Sequence, residues 1–361
     1  MLEQYWFPSM NYSIDGKINL ITTRMSNHAR HSGYDRLVEF IEAKNVFSET
    51  ELSLFSRVLA RGLSSFVNNS NLEWYNRHSF IEEINAGRNW LISRGQIFHY
   101  LYGENSYRYL GNLKSVNKSN AIVCTYHTPP DRFCQVVRLH EHLKQLDAIV
   151  AVSRVQIDYL SQFTGCERTF FVPHGIDVDY FKPGVAAQKN EGPIKCLFVG
   201  THLRDVETLV EVSHLLNGWG EQCEIVAVTG ARNKEIIQKS NNIRLRMGVT
   251  DEELLQLYQQ SDILLLPLLD ATANNSVLEA MACGLPIVST DLEGVKDYVN
   301  EECALLFKKK DAKGLAEGVI QLARDQDLRE SMSAACRTQA MKFSWESIAD
   351  QMREIYKLVQ S

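Results

Sequence analysis

Three polar residues and a carboxylate open the segment "NNSVLEAMACGLPIVST", which begins at Asn274. Asn274, Asn275 and Ser276 are residue types that cap helix N-termini, where unpaired backbone amides and a partial positive charge attract anions. Glu279 follows about one turn later, and its carboxylate can accept hydrogen bonds from two neighbouring hydroxyls, such as those of a ribose. The pattern therefore fits a nucleoside diphosphate site. It fits equally a structural helix whose Glu279 pairs with a surface cation.

Arg204 and His127 are two further polar residues that follow apolar runs. A guanidinium can hold two phosphate oxygens at once, so Arg204 is a candidate for diphosphate binding, although it can also pair with Asp205 or Glu207. His127 ends the run "AIVCTYH", just before a proline turn. This position at a strand end favours a functional over a structural histidine.

Four other polar residues have weaker cases. His99 and Glu104, in "HYLYGENSY", could line the same region as His127. A lone histidine inside a strand is nevertheless more often structural. His174 in "PHG" can simply shape a turn, and Asp177 is interpreted as a turn or cap residue rather than a catalyst.

Short apolar runs alternate with helical patterns along the chain, and these elements must position the polar residues. Most runs are continuous, as expected of parallel strands covered on both faces. A break at 183–193 holds two prolines and two glycines. We predict an α/β fold with two doubly wound Rossmann-like domains, residues 1–180 and 190–343, and an amphipathic helix at 344–361 that packs back on the first domain. The cleft between the domains is the predicted active site.

Composition and charge limit the classes of partner. The 361 residues are 45% hydrophobic and 23% charged, and the net charge of −6 argues against a nucleic-acid-binding protein. The first 175 residues hold 18 Lys/Arg against 16 Asp/Glu, whereas the remainder holds 20 against 28. A mildly basic first half suits anionic ligands or peripheral contact with a membrane surface, and chance variation explains it equally well.

The cysteines and the apolar runs predict where the protein resides. The eight cysteines include no Cys-x-x-Cys pair, which is typical of a reducing compartment rather than of a disulfide framework or a zinc site. The chain does not start with a basic leader and an apolar core. No apolar run approaches the ~20 residues that span a bilayer. We expect a cytoplasmic protein, with peripheral membrane contact through its N-terminal domain as a further expectation.

Several longer segments resemble one protein family. "VLEAMACGLPIVSTDLEGVKDYV" (277–299) closely resembles the nucleotide-sugar motif of retaining glycosyltransferase family 4, which has the two-domain GT-B fold. "VPHGIDVDYFKP" (172–183) resembles that family's signature at the end of the first domain, and "AIVAVSRVQIDYL" (148–160) is similar to the strand and helix before it. "SGYDRLVEFIEA" (32–43) resembles, more weakly, its glycine loop and following helix. These matches run in order over most of the chain.

The resemblance implies a metal-independent retaining transferase without a bound cofactor. Its donor would be a UDP-, GDP- or ADP-sugar, and its acceptor a saccharide, a lipid-linked molecule or a small molecule. Glu279 would bind the donor ribose, and a helix N-terminus would hold the phosphates. Gly200 would open the loop that faces the diphosphate, and Gly33 would let the backbone approach the donor closely. The predicted catalytic residues are His127, Arg204 and Glu279; the predicted donor-binding residues are Gly33, Gly200, Arg204, Gly248, Val249, Asn274, Asn275, Ser276 and Glu279.

Two positions depart from the family pattern. Ala271 stands where the motif usually has its first Glu, and Thr201 stands where an Arg usually follows the glycine of the phosphate loop. Asp270 and Arg204 are the residues that could compensate. The alternatives are a non-catalytic protein that binds a nucleotide sugar, and another enzyme on the same fold, such as a nucleotide-sugar epimerase or a phosphorylase. No lysine in the sequence stands out as an anchor for the pyridoxal phosphate of a phosphorylase.

Overall fold

The computed structural model describes residues 16–23, 31–48, 64–184, 192–220 and 223–360. Within these ranges, twelve strands form two parallel sheets of six strands each. The predicted pair of doubly wound domains is therefore confirmed. Residues 1–15, most of the predicted linker (185–191) and the last residue of the predicted C-terminal helix lie outside the described residues.

The first sheet has the strand order β2-β1-β3-β4-β5-β6, and every neighbouring pair is parallel. Its central strands are buried along their length because helices and loops cover both faces, which explains their continuous apolar runs. The strands are β1 (Ile18–Ile21), β2 (Asn45–Phe47), β3 (Ile97–Tyr100), β4 (Ala121–Tyr126), β5 (Ala148–Ala151) and β6 (Thr169–Phe171).

Within the described residues, five α-helices accompany the first sheet: α1 (Ser64–Asn68), α2 (Arg77–Ile92), α3 (Gly103–Ser106), α4 (Pro130–Val136) and α5 (Ile157–Thr164). The helix that the resemblance implies after Gly33 is present at Tyr34–Glu39, as a 3-10 helix. The Arg36 amide donates to the Gly33 carbonyl at 3.1 Å, an i→i+3 contact. With β2 starting at Asn45, few residues are available for a longer helix.

The second sheet has the order β12-β11-β10-β7-β8-β9 and is also parallel throughout. Its strands are β7 (Ile194–Val199), β8 (Cys223–Val228), β9 (Ile243–Arg246), β10 (Ile263–Leu266), β11 (Ile287–Thr290) and β12 (Ala304–Phe307). The helices around it are α6 (Val206–Gly218), α7 (Lys234–Ile237), α8 (Asp251–Gln260), α9 (Asn275–Ala282), α10 (Glu293–Lys296), α11 (Ala312–Arg324) and α12 (Gln326–Met341).

Capping residues define the starts of α8 and α9. The Thr250 amide donates to Glu253 Oε2 at 2.8 Å, and the Glu253 amide donates to Thr250 Oγ1 at 3.2 Å, so the two residues form a capping box. At α9, the side-chain oxygen of Asn274 accepts from the Val277 amide at 3.4 Å. The helix therefore begins at Asn275, at the carboxyl edge of the second sheet.

The last helix, α13 (Trp345–Gln360), returns to the first sheet. Its apolar face, including Ile348, Met352 and Tyr356, is fully buried in a core shared with β1, β3 and β5. Trp345 packs on Gly175 so closely that a Cβ there would lie 2.4 Å from the indole ring. The chain thus passes from the first sheet to the second between β6 and β7, and it returns to the first domain at 343–345.

Direct contacts also join the two domains beside the cleft. Asp297 accepts from Ser153 Oγ at 2.6 Å and from Arg154 Nη1 at 3.0 Å. The Tyr298 hydroxyl donates to the Val152 carbonyl at 2.6 Å. The carboxyl edges of both sheets consequently face one another. None of the helices that the structure describes is long and apolar enough to cross a membrane.

Candidate active site

A cavity of about 850 Å³ lies between the facing carboxyl edges of the two sheets. Residues from both domains line it, so neither domain forms it alone. The first domain contributes Ser32, Glu104, His127 and Thr128; the second contributes Gly200, Arg204, Ser276 and Glu279. The structure thus brings together the three predicted catalytic residues, His127, Arg204 and Glu279.

Arg204 lies against the N-terminus of α9. Its Nη2 donates to Ser276 Oγ at 3.0 Å and to Asn274 Oδ1 at 3.3 Å. Its Nε donates to the Val199 carbonyl at 2.8 Å, and its Nη1 to the His202 carbonyl at 3.0 Å. Burial lowers the pKa of Arg204 to about 10, so it is a cation at neutral pH. A fixed guanidinium beside helix amides is suited to an anion such as a diphosphate.

The loop that carries Arg204 has an unusual backbone. Gly200 has a φ of 106°, and a Cβ there would lie 2.5 Å from Arg204 Nη2, so only glycine fits. Leu203 has a φ of 57°, a conformation that costs a non-glycine residue on the order of 1–3 kcal/mol. The Leu269 amide donates to the Leu203 carbonyl at 3.0 Å. The loop stores strain at the cavity, as functional loops often do.

Glu279 is buried, with 3% of its surface exposed, although it lines the cavity. One carboxylate oxygen accepts a hydrogen bond from Ser32 Oγ across the cleft. The other accepts from the Tyr258 hydroxyl at 2.7 Å. Burial raises the pKa of Glu279, whereas these two hydrogen bonds and the charge of Arg204 oppose that rise. A ligand hydroxyl that reaches Glu279 must therefore share or displace the contact with Ser32.

His127 follows β4 directly and is half-buried in the wall opposite Arg204. Its Nε2 lies 2.9 Å from the Leu101 carbonyl, so the neutral ring carries its proton on Nε2. The rings of Tyr34 and Tyr102 lie 4.9 Å and 4.7 Å from the imidazole. Thr272 Oγ1 donates to the His127 carbonyl at 2.6 Å from the second domain. The imidazole is held in one position at the cleft.

Glu104 lies beside His127, in α3. Its Oε1 accepts from the His127 amide at 2.9 Å and from Thr128 Oγ1 at 3.1 Å. Burial raises the pKa of Glu104 to about 7, because little water reaches the ionised carboxylate. The carboxylate therefore connects the backbone at His127 to the end of β3.

The three other polar residues with weaker cases, His99, His174 and Asp177, lie in different parts of the structure. His99 is fully buried in β3, where it contacts the hydroxyls of Tyr356 and Thr125 at 2.7 Å and 2.8 Å, and burial lowers its pKa to about 3. It is a neutral structural histidine. His174 lines the cavity. Asp177 Oδ1 accepts from the Tyr180 amide at 2.9 Å, as a turn-capping residue does.

Four predicted donor-binding residues have not yet been placed. One of them lines the cavity and three do not. Asn275 lines the cavity at the start of α9. Gly33 does not line it, and its φ of 171° is extended backbone that any residue adopts; its neighbour Ser32 reaches the cavity instead. Gly248 and Val249 are also absent from the lining, although Leu254 of the following helix α8 lines it. None of these three positions lines the cavity in this conformation, and their contact with a donor stays a prediction.

The two departures from the family pattern are both visible in the cavity wall. Ala271 lines the cavity and is buried against α10, and the neighbouring Asp270 lines it too and accepts from the Ala271 amide at 2.9 Å. Thr201 also lines the cavity, and its Oγ1 accepts from the Gly230 amide at 2.9 Å. Arg204 and Asp270 thus supply the nearby charges that Thr201 and Ala271 lack.

Ser32, Tyr258 and Thr272 are site residues that sequence reasoning missed. Tyr258 reads as one apolar position of an amphipathic helix, and Thr272 as part of a polar loop. Ser32 stands only at the start of a weak resemblance to a glycine loop. Each one contacts a predicted residue from a distant part of the chain, so no local pattern marks it.

Replacing Arg204 with alanine is expected to weaken binding of a nucleoside diphosphate about tenfold or more, because charge-assisted hydrogen bonds are lost. Calorimetric titration with UDP, GDP and ADP measures the effect. Arg244→Ala is the matched control, since Arg244 is an exposed arginine of the same domain outside the cavity lining. Equal affinity in folded Arg204→Ala and wild-type protein would exclude Arg204 from the diphosphate site.

Comparison with known proteins finds a matching family and several relatives of this chain. Residues 193–325 match the family described as glycosyl transferases group 1. A D-inositol 3-phosphate glycosyltransferase of Corynebacterium jeikeium is 27% identical over 212 residues, which are 52% of this chain and 51% of that protein. An O-antigen chain mannosyltransferase B of Escherichia coli is 30% identical over 117 residues, 32% of this chain and 30% of that protein. The chain thus spans about half or less of the length of these curated relatives.

Two solved structures resemble the whole fold. A sucrose-phosphate synthase from Thermosynechococcus elongatus has a TM-score of 0.70 at 18% identity and covers 95% of this chain and 98% of its own. The Anabaena HepE protein in complex with UDP-glucose has a TM-score of 0.66 at 14% identity, with 94% of this chain and 99% of its own covered. At these identities the likeness concerns the fold, which is that of GT-B glycosyltransferases.

Proposed function

Residues 193–325 form a glycosyl transferases group 1 domain within a GT-B fold, and we propose that the chain is a retaining glycosyltransferase. It transfers a sugar from a nucleotide-sugar donor to an acceptor hydroxyl on a saccharide, a lipid-linked molecule or a small molecule. One observation carries this proposal. A single cavity between the two domains has a helix N-terminus with Arg204 and Glu279 on one wall, and His127 with Glu104 on the other.

The second domain is proposed to bind the donor. Backbone amides at the start of α9 and the guanidinium of Arg204 provide positive charge where a diphosphate would lie. The carboxylate of Glu279 accepts hydrogen bonds from the ribose hydroxyls. None of these groups distinguishes among UDP-, GDP- and ADP-sugars.

The chemistry that suits this wall is stabilisation of a leaving group. The departing diphosphate develops negative charge, which preorganised amides and Arg204 can stabilise without any metal ion. The donor phosphate itself takes the proton of the acceptor hydroxyl, and the anomeric configuration is retained. His127 orients the transferred sugar and the acceptor on the opposite wall, so that both reactants are held in one geometry.

A panel of nucleotide sugars tests the proposal. Incubation with UDP-glucose, GDP-mannose and ADP-glucose should give donor hydrolysis or sugar transfer with at least one donor, measured by release of the nucleoside diphosphate. Tight binding without turnover across a broad acceptor panel would instead favour the alternative of a nucleotide-sugar-binding protein. Ala271 and Thr201, which replace two charged residues of the family pattern, are the reason to keep that alternative.

Activity is expected to survive an excess of EDTA. The proposed charge-neutralising groups are protein groups, and none of the described residues forms a cluster of three or more His, Cys, Asp or Glu that could hold a metal ion. The measurement is the initial rate of transfer before and after chelation. Loss of activity in EDTA that Mn²⁺ or Mg²⁺ restores would mean that a metal ion neutralises the diphosphate.

The proposed location is the cytoplasm, where nucleotide sugars are available and where the spacing of the eight cysteines fits a reducing environment. Peripheral contact with a membrane through the N-terminal domain remains a prediction from its mildly basic charge. A flotation assay of the purified protein with anionic vesicles would measure it.

A further inference from the structure

The wall of the first domain contains two buried hydrogen-bond acceptors that no described residue satisfies. Glu104 Oε2 and Asn105 Oδ1 are both buried and accept no hydrogen bond within the part of the chain that the structure describes. Both residues belong to α3 at the end of β3, and both line the cavity. Glu104 and Asn105 are 1% and 7% exposed.

The two oxygens of the Glu104 carboxylate differ in their hydrogen bonding. Glu104 Oε1 is fully engaged, since it accepts from the His127 amide and from Thr128 Oγ1 at 2.9 Å and 3.1 Å. Oε2 of the same carboxylate has no partner among the described residues. Native proteins rarely leave buried polar atoms unsatisfied, and such atoms call for an explanation such as a ligand. A carboxylate with one oxygen anchored and the other left for a ligand is suitably preorganised.

The chemistry of the two atoms defines what they can receive. Both are acceptors, so a ligand must bring hydrogen-bond donors, such as hydroxyl groups. In its ionised form the carboxylate repels phosphate and carboxylate groups, which disfavours their direct contact with Oε2. Burial already raises the pKa of Glu104 to about 7, and a hydroxyl donated to Oε2 would stabilise the ionised form.

We propose that Glu104 and Asn105 form an acceptor subsite that binds hydroxyl groups of an uncharged, polyhydroxylated acceptor, such as a sugar or a polyol. The inference rests on the proposed function, because it takes the opposite wall, with Arg204 and Glu279, to hold the donor. Glu104 is anchored to the backbone of His127, so the subsite lies beside the residue proposed to orient the transferred sugar. Arg132 also lines the cavity, which makes a phosphorylated acceptor the competing outcome of the test.

Two variants probe the subsite separately. Glu104→Gln keeps the shape and the oxygen that binds the His127 amide, but it puts a neutral amide in place of Oε2. Asn105→Leu removes Oδ1 at similar size without touching the contact between Glu104 and His127. Glu141→Gln is the control with the same charge change, because Glu141 is exposed and pairs with Lys144 on the surface.

The experiment follows transfer from UDP-glucose, GDP-mannose and ADP-glucose to glucose, myo-inositol and glycerol, with glucose 6-phosphate as the charged comparison. Wild-type protein should use at least one uncharged acceptor. In Glu104→Gln and Asn105→Leu the acceptor KM should rise about tenfold or more, and the ratio of transfer to donor hydrolysis should fall accordingly. The Kd for the nucleoside diphosphate should match that of the wild type and of Glu141→Gln.

Three results would overturn the subsite. One is an unchanged acceptor KM in both variants. Another is a parallel fall of transfer and donor hydrolysis, which indicates a structural role. The third is use of glucose 6-phosphate but of no uncharged acceptor. Failure of the proposed function looks different, because wild-type protein would then neither bind a nucleoside diphosphate nor consume any of the donors.

Discussion

Replacing His127 with alanine is expected to reduce sugar transfer about 100-fold or more, the scale of a lost positioning or proton-handling group. Binding of the bare nucleoside diphosphate should remain near that of the wild type, because His127 lies on the wall opposite Arg204. The substitution removes only the imidazole. The contacts to the His127 backbone from Glu104 and Thr272 involve its amide and carbonyl, which alanine retains.

Initial rates of transfer and calorimetric Kd values should be measured on the same preparations. His140→Ala is the matched control, since His140 is a half-buried histidine of the first domain that contacts the Val137 carbonyl at 3.1 Å and does not line the cavity. Wild-type transfer by His127→Ala would show that the acceptor approaches from another strand end. The first-domain part of the proposed site would then be wrong.

Glu279→Gln is expected to weaken nucleoside diphosphate binding by about 1–3 kcal/mol, through loss of charged hydrogen bonds to the ribose. A sharper test compares UDP with 2′-deoxy-UDP, or the corresponding pair of the preferred base. Wild-type protein should bind the deoxy form more weakly. The variant should discriminate less, because the carboxylate that recognises the hydroxyl is absent.

Two control variants separate ribose binding from a structural role of Glu279. Glu317→Gln makes the same change at an exposed position of α11, where Glu317 Oε1 lies 3.7 Å from Lys313 Nζ. Ser32→Ala removes one partner of Glu279 but leaves its carboxylate for the ribose, so it should not weaken nucleotide binding. Unchanged affinity and unchanged discrimination in a folded Glu279→Gln protein would assign Glu279 to the packing of α9 alone.

The large elements of the fold could be predicted from the sequence because a buried strand or a capped helix leaves a pattern of residue types within a few neighbouring positions. Continuous apolar runs such as Ala121–Tyr126 and Ile194–Val199 form parallel strands, since both faces of each strand are covered. The start of α9 was predictable because capping is a contact between neighbours in the chain. Only β2 had no such signal among the described strands. It is a three-residue edge strand without full burial.

Parts of the site could also be predicted, because parallel strands end at one edge of each sheet and polar residues follow those ends. His127 and Arg204 are predicted at the cleft for this reason, and both line its cavity. Of the positions taken only from the resemblance, Gly200 lines the cavity and has a φ of 106°, whereas Gly33, Gly248 and Val249 do not line it. The roles of all four toward the donor stay predictions.

The sequence by itself therefore determined the two sheets, their strand ends and the capped helix that faces the cleft, because each depends on patterns within a few residues. The packing of the two domains against each other determined the site contacts between residues that are distant in the sequence. Ser32 reaches Glu279 across 247 positions, and Thr272 reaches His127 across 145. The unsatisfied oxygens of Glu104 and Asn105 were likewise set by what packs around α3. Hydrogen bonding and burial at such points are properties of the folded surfaces, and no periodicity along the chain encodes them.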